Sequence, residues 1–263
     1  MLGKLLKYDL KWVYKLVVIF YILAFIFSGI GRILAEIQNS MLLDIVSKIS
    51  IGIGISMAVS ALINCLMRLW AGFVNNVYKD ESYLTHTLPV EKKTIFASKV
   101  VAGIISVFTT TIVTLGCVFI CYYSENNIEL LKQLLEIAAT TYNTTVLNFL
   151  LVVSILIFVE ILFILLIGFA GIIIGHRSNK SRIVKSLICS FVLYGAFQLV
   201  TLGVIFGYGI FDPAVMNLIN TTEQVDIMSL KSLMYVATVA YSVYVIVVYI
   251  IGKKQLEKGV NVE

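Results

Sequence analysis

VLNFLLVVSILIFVEILFILLIGFAGIII, residues 146–174, decides the fold: 29 consecutive residues hold a single charged side chain, Glu160. About 20 such residues cross a bilayer as a helix. Backbone groups in lipid must be hydrogen-bonded inside the segment or in a closed barrel, and a barrel strand would alternate polar with apolar residues. This run does not alternate, so it reads as a helix, with length to spare for tilting or projecting from the bilayer.

Working outward, five more apolar runs appear, at 16–34, 49–67, 100–123, 187–208 and 233–252. Over its 263 residues the chain is 60% hydrophobic and 13% charged, with mean hydropathy +0.98. A soluble domain carries about 25% charged residues. The pattern predicts an all-α polytopic membrane protein with six transmembrane helices in a single domain, residues 1–263. The first run follows a positive segment as a signal peptide would, but Ser28-Gly29-Ile30-Gly31-Arg32 offers no A-x-A cleavage site, so it reads as retained. Arg32 at its far end is expected to snorkel to headgroups.

Charge then sets orientation. With a cytoplasmic N-terminus, the inner segments hold sixteen basic residues, including Lys4, Lys7, Lys11 and Lys15, Arg68, Lys79, Lys92, Lys93 and Lys99, and Arg177 to Lys185; the outer loops hold Lys48, Lys132 and Lys231. The positive-inside rule therefore places both termini in the cytoplasm of a bacterial cell membrane. The net charge of +5 reports this orientation rather than a nucleic-acid partner.

Segments outside the spans have their own patterns. In residues 1–15, Lys4, Lys7, Lys11 and Lys15 share a stripe opposite Leu2, Leu5, Leu6, Leu10, Trp12 and Val13, predicting an amphipathic interfacial helix against membrane lipid. Asp9 interrupts the apolar side; a basic residue on a neighbouring helix or subunit could pair with it, or it could be locally hydrated. Residues 124–145 place Glu125, Glu129, Lys132 and Glu136 on one stripe, predicting a second amphipathic helix on the outer surface. In the second span Gly52, Gly54, Ser56, Ser60 and Ala61, and in the fourth Gly168, Gly171 and Gly175, would let helix backbones approach closely.

The long polar stretch 68–99, RLWAGFVNNVYKDESYLTHTLPVEKKTIFASK, falls on the inner side. Asp80 is a suitable N-cap for a short helix through Thr87, with Glu81 near the positive end of its dipole. Tyr83, Leu84, Thr87 and Leu88 would share an exposed side, and Pro89 would stop that helix and open the next. Two short helices joined to two long spans make a lever; an ordinary interfacial connection fits the same spacing.

Catalytic patterns are missing. There is no H-E-x-x-H, G-x-S-x-G or G-x-x-x-x-G-K-[ST], and no Cys and His spacing suited to zinc, so no metal site, cofactor or enzyme activity is expected on this chain. His86 and His176 lie in polar loops and are expected to be solvated. Cys65, Cys117, Cys121 and Cys189 read as small apolar fillers. Glu160, alone in mid-span, is expected to face a cavity or subunit interface, either meeting the cationic part of a substrate or making a packing hydrogen bond. Its isolation argues against an intramembrane enzyme.

The lysine-rich start Leu5-Leu6-Lys7-Tyr8-Asp9-Leu10, the six spans, and Tyr83-Leu84-Thr85-His86-Thr87-Leu88-Pro89-Val90 followed by Ser98-Lys99 resemble permease subunits of ABC-2 type transporters of Gram-positive bacteria. Among these the chain is similar to exporters of amphipathic peptides such as phenol-soluble modulins. The resemblance implies a homodimer or heterodimer of permeases, each bound to a separate ATPase subunit that carries ATP and Mg. It implies that residues 80–88 are the coupling helix, residues 1–15 the connecting helix beside it, and residues 209–232 the site of short re-entrant helices. The function it implies is ATP-driven export, by alternating access, of amphipathic, antimicrobial or toxin peptides or other hydrophobic substrates. A membrane immunity or sensor protein that binds toxic peptides without transporting them is the alternative.

Overall fold

The computed structural model describes residues 2–37, 40–79, 81–87, 89–178, 181–212, 215–216 and 227–258. Its elements are α1 (Leu2–Glu36), α2 (Met41–Val77), α3 (Ser82–Thr87), α4 (Lys92–Tyr122), α5 (Glu125–Thr141), α6 (Val146–Gly175), α7 (Arg182–Phe211) and α8 (Ile227–Glu257). Six of these, all but α3 and α5, are long and apolar enough to cross a membrane. The protein is thus an all-α, multi-pass membrane protein.

Helices α1, α2, α7 and α8 extend past their apolar runs at both ends, and α4 extends before the start of its run. At about 1.5 Å per residue a 35-residue helix is roughly 50 Å long, against about 30 Å of hydrocarbon. Nothing between Lys11 and Phe20 breaks a helix, so residues 2–15 and the first span form one unbroken α1. The surplus turns carry polar side chains that could not sit in lipid.

The helices group into two compact units, Met1–Glu129 and Leu130–Asn261, within the chain read above as one domain. In the first unit α1, α2 and α4 pack against one another. Small residues make this possible: a Cβ on Gly54 would lie 2.9 Å from the Ser28 nitrogen, and one on Gly31 2.9 Å from the Ile51 nitrogen. Ser47 Oγ donates to the Gly31 carbonyl at 2.8 Å. The buried stripe of α2 runs Ser50, Gly54, Ala58, Ala61 and Cys65, whereas Gly52 and Ser56 point outward. Only part of the expected small-residue set therefore forms the contact. Hydroxyls join α1 to α4. Thr110 gives its proton to the Ser106 carbonyl at 2.6 Å, so Tyr21 donates to Thr110 Oγ1 at 2.7 Å; Tyr14 pairs with Thr109 in the same way. Arg32 pairs with Glu36 one turn on at 2.8 Å and lies 6.0 Å from the Tyr123 ring.

In the second unit α6 packs against both α7 and α8. Gly171 and Gly175 face Ser190 and Ser186 of α7 so closely that any Cβ would collide with the partner backbone. The G-x-x-x-G pair is thus a helix contact. His176, expected to be solvated, is 1% exposed: its Nδ1 lies 2.9 Å from the Ile172 carbonyl and 3.1 Å from Ser186 Oγ. The close approach at Gly175 lays the first turn of α7 over the ring. Arg177 donates to the Gln255 carbonyl at 2.8 Å, tying the α6–α7 connection to the end of α8.

Helix α5 is nearly all exposed, with Ala139 its one buried residue and Leu130, Leu131, Leu134 and Ile137 each more than half exposed. Its carboxylates and its leucines alternate with helical period, as an interfacial helix requires. Asp80, Leu88, Lys180 and half of 209–232, including Pro213, lie outside the described residues, as does the side chain of His86.

Candidate functional site

Three long helices of the first unit bring the start of α1, the end of α2 and the start of α4 together, and α3 sits on that platform. The platform is built on rings. Phe73, Tyr78 and Phe96 are 0%, 2% and 1% exposed, with Phe73 edge-to-face against Tyr78 at 6.3 Å and against Phe96 at 6.2 Å. Tyr78 closes α2 by donating its backbone N–H to Val74 at 2.9 Å. The chain therefore leaves α2 from a rigid, dry foot.

Trp12 fits only because of Gly72. A Cβ there would lie 2.9 Å from the indole ring, and Arg68 covers that ring at 3.8 Å from its centroid while reaching the Trp12 carbonyl at 3.3 Å. Trp12, expected at the lipid boundary, is thus packed against protein. Stacking and hydrogen bonding together suit a guanidinium better than an ammonium. Lys4, Lys7, Lys11 and Lys15 are all exposed along the opposite side of α1, as their stripe predicts.

Asp9 finds its basic partner in Lys99 of α4. Both side chains are 9% exposed; Lys99 Nζ bonds Asp9 Oδ1, and Ser98 Oγ donates to the other carboxylate oxygen at 3.2 Å. Asn76 of α2 extends this pair. With its amide oriented to satisfy both ends, Oδ1 accepts from Lys99 Nζ at 2.5 Å, while Nδ2 donates to the Gly72 carbonyl at 3.1 Å and to Glu81 Oε2 at 2.5 Å. A buried ion pair is stable only when its remaining hydrogen-bonding capacity is met, and here Ser98 and Asn76 meet it. Asp9, Lys99, Asn76 and Glu81 thus form one connected chain of bonds from α1 to the base of α3.

Helix α3 begins one residue later than the sequence suggests. The Glu81 carbonyl accepts from Thr85 N at 3.0 Å and from Thr85 Oγ1 at 2.9 Å, putting Glu81 in the N-cap position. Its own N–H donates to the Asn75 carbonyl at 3.3 Å, and Ser82 N–H to Lys79 at 2.7 Å. Tyr83 and Leu84 are 77% and 67% exposed, and Thr87 and Pro89 are exposed beside them. Pro89 does not open α4, which starts at Lys92 with Glu91 in the cap position and Lys93 paired to Glu91 at 2.6 Å. An exposed aromatic–aliphatic tip on a tethered base is suited to docking rather than to catalysis.

Glu160 lies near the middle of α6, half-buried. Tyr241 accepts a hydrogen bond from Gln198 Nε2 of α7 at 3.1 Å, and Thr201 meets Tyr244 at 3.3 Å. The rings of Tyr194, Phe197, Tyr241 and Tyr244 surround the buried Phe163 with centroids 5.3 to 6.2 Å away. Among the described residues no basic side chain pairs with Glu160. The meeting of Phe163, Gln198 and Tyr241 could not be found from sequence, because three separate helices supply it.

No family model, curated protein or solved structure matches this chain.

Proposed function

We propose that this chain is the membrane-spanning permease subunit of an ATP-driven ABC exporter, and that α3 is the coupling helix seated in a separate ATPase subunit. The observation that carries the reading is the exposure of Tyr83 and Leu84, 77% and 67%, on a short helix whose base is held by buried polar groups. An aromatic or aliphatic side chain buried at the centre of a contact dominates its energy, and these two await such burial. The positive-inside count puts this end of the bundle in the cytoplasm, where ATP is. The resemblance of the Tyr83–Val90 run to ABC-2 permeases agrees.

The working assembly is two permease protomers with their ATPases. Closure of the ATPases on ATP draws the coupling helices together, and the spans respond by alternating access. In vesicles containing the ATPase, Tyr83→Ala with Leu84→Ala is expected to leave a folded permease that no longer stimulates ATP hydrolysis. Hydrolysis at the wild-type level in that variant contradicts the assignment.

The substrate class proposed is an amphipathic peptide with cationic groups. A mid-bilayer acid with no basic partner costs a few kcal/mol, and a cation on the substrate would offset this at Glu160. Glu160→Gln is expected to slow export of cationic peptides while sparing neutral ones; equal rates for both removes the substrate role.

A further inference from the structure

We infer that Asp9, Lys99, Asn76 and Glu81 act as a mechanical linkage through which displacement of α3 reaches α1 and α4 together. The proposed function supplies only what pushes on α3; the linkage itself belongs to this chain.

Six residues cannot hold a helix by propensity, so the direction of α3 is set by what grips its ends. At its base the side chain that reaches back into the long helices is Glu81, through Asn76. Asn76 is fixed on its own helix by the Gly72 carbonyl, and its oxygen shares Lys99 Nζ with Asp9. Glu81 cannot move far from Asn76 without turning that amide, and a turned amide withdraws an acceptor from a buried ammonium.

Energetics make the response concerted. Lys99 and Asp9 are too buried for water to replace a lost partner, and a half-satisfied polar network costs more than either a complete one or an apolar core. The low-energy response to displacement of α3 is therefore for the start of α1 and the start of α4 to follow as a body. Without the linkage, the connection between α2 and α3 would absorb the motion as a hinge. Asp9 and Lys99 are positioning residues in this account, since neither reaches the exposed tip.

The test is amide hydrogen exchange on the full chain in lipid nanodiscs, perturbing one end of the linkage and reading the other. Glu81→Ala is expected to speed exchange about tenfold, the equivalent of one charge-assisted hydrogen bond, in residues 82–87 and also in 5–12 and 95–100. Tyr83→Ala, on the same helix but outside the linkage, is expected to leave 5–12 unchanged. Reciprocally, Asp9→Asn is expected to speed exchange in 82–87, and Asp9→Lys combined with Lys99→Asp to be better protected there than either reversal alone. An effect of Glu81→Ala confined to 79–87, or a double reversal no better than the single ones, overturns the linkage. If the charge variants fail to fold, Glu81→Ala and Tyr83→Ala decide it alone. In the complex with ATPase, Asp9→Asn is expected to keep the ATPase bound but lose its stimulation. A wild-type chain that recruits no ATPase would defeat the reading of α3 and leave the exchange result to judge the linkage.

Discussion

Lys99 shows how much one buried charge commits. Its ammonium bonds Asp9 and Asn76 at 8% exposure, so removing it strands the Asp9 carboxylate away from water. Breaking a buried pair from one side costs about 3–5 kcal/mol, whereas replacing both partners with apolar or neutral groups can cost little. Lys99→Met is therefore expected to lower unfolding free energy in detergent by about that amount, and Asp9→Asn added to it to recover most of the loss. Equal destabilisation by the single and the double variant contradicts the pairing. In the sequence Asp9 is visible as a misfit on an apolar face, but its partner stands 90 positions away and no local pattern connects them. His176 fails differently. Its basic neighbours suggest a solvated loop, and only the closeness of Gly175 to Ser186 shows that the ring is covered.

At the scale of elements, helix contacts separate glycines that look alike in sequence. Gly175 and Gly52 both lie in spans, but a methyl on Gly175 meets the Ser186 backbone while one on Gly52 meets nothing within 4 Å. Gly175→Ala is accordingly expected to destabilise the protein measurably. Gly52→Ala is expected to be neutral or stabilising by up to about 1 kcal/mol, since alanine restricts the unfolded chain more than glycine. The reverse order in thermal melts contradicts the α6–α7 contact. The spans themselves are legible from hydropathy because that signal is local. Their ends are less so: α2 and α4 continue as helix through Val77 and back to Lys92, where hydropathy has already fallen. The start of α3 shifts by one residue, since the Glu81 carbonyl accepts its first helical bond, from Thr85 N. Which of the small residues in α2 face α1 depends on helix phase, and this favours Gly54 over Gly52.

For the molecule as a whole, the first unit joins a bundle of three long helices to one short helix with an apolar tip, and the second carries the mid-span acid Glu160 and a Gln198–Tyr241 hydrogen bond. In the proposed export cycle the first unit receives the input of work and the second meets the substrate. The former is the central claim, and photo-crosslinking tests it most directly. A benzoylphenylalanine placed at position 83, with the chain reconstituted beside the proposed ATPase partner, is predicted to capture that ATPase on illumination. The same probe at Leu134 of α5 is predicted to capture only lipid. No ATPase adduct at position 83 in a complex that still hydrolyses ATP under the control of this chain would contradict the account, as would an adduct at Leu134 in its place.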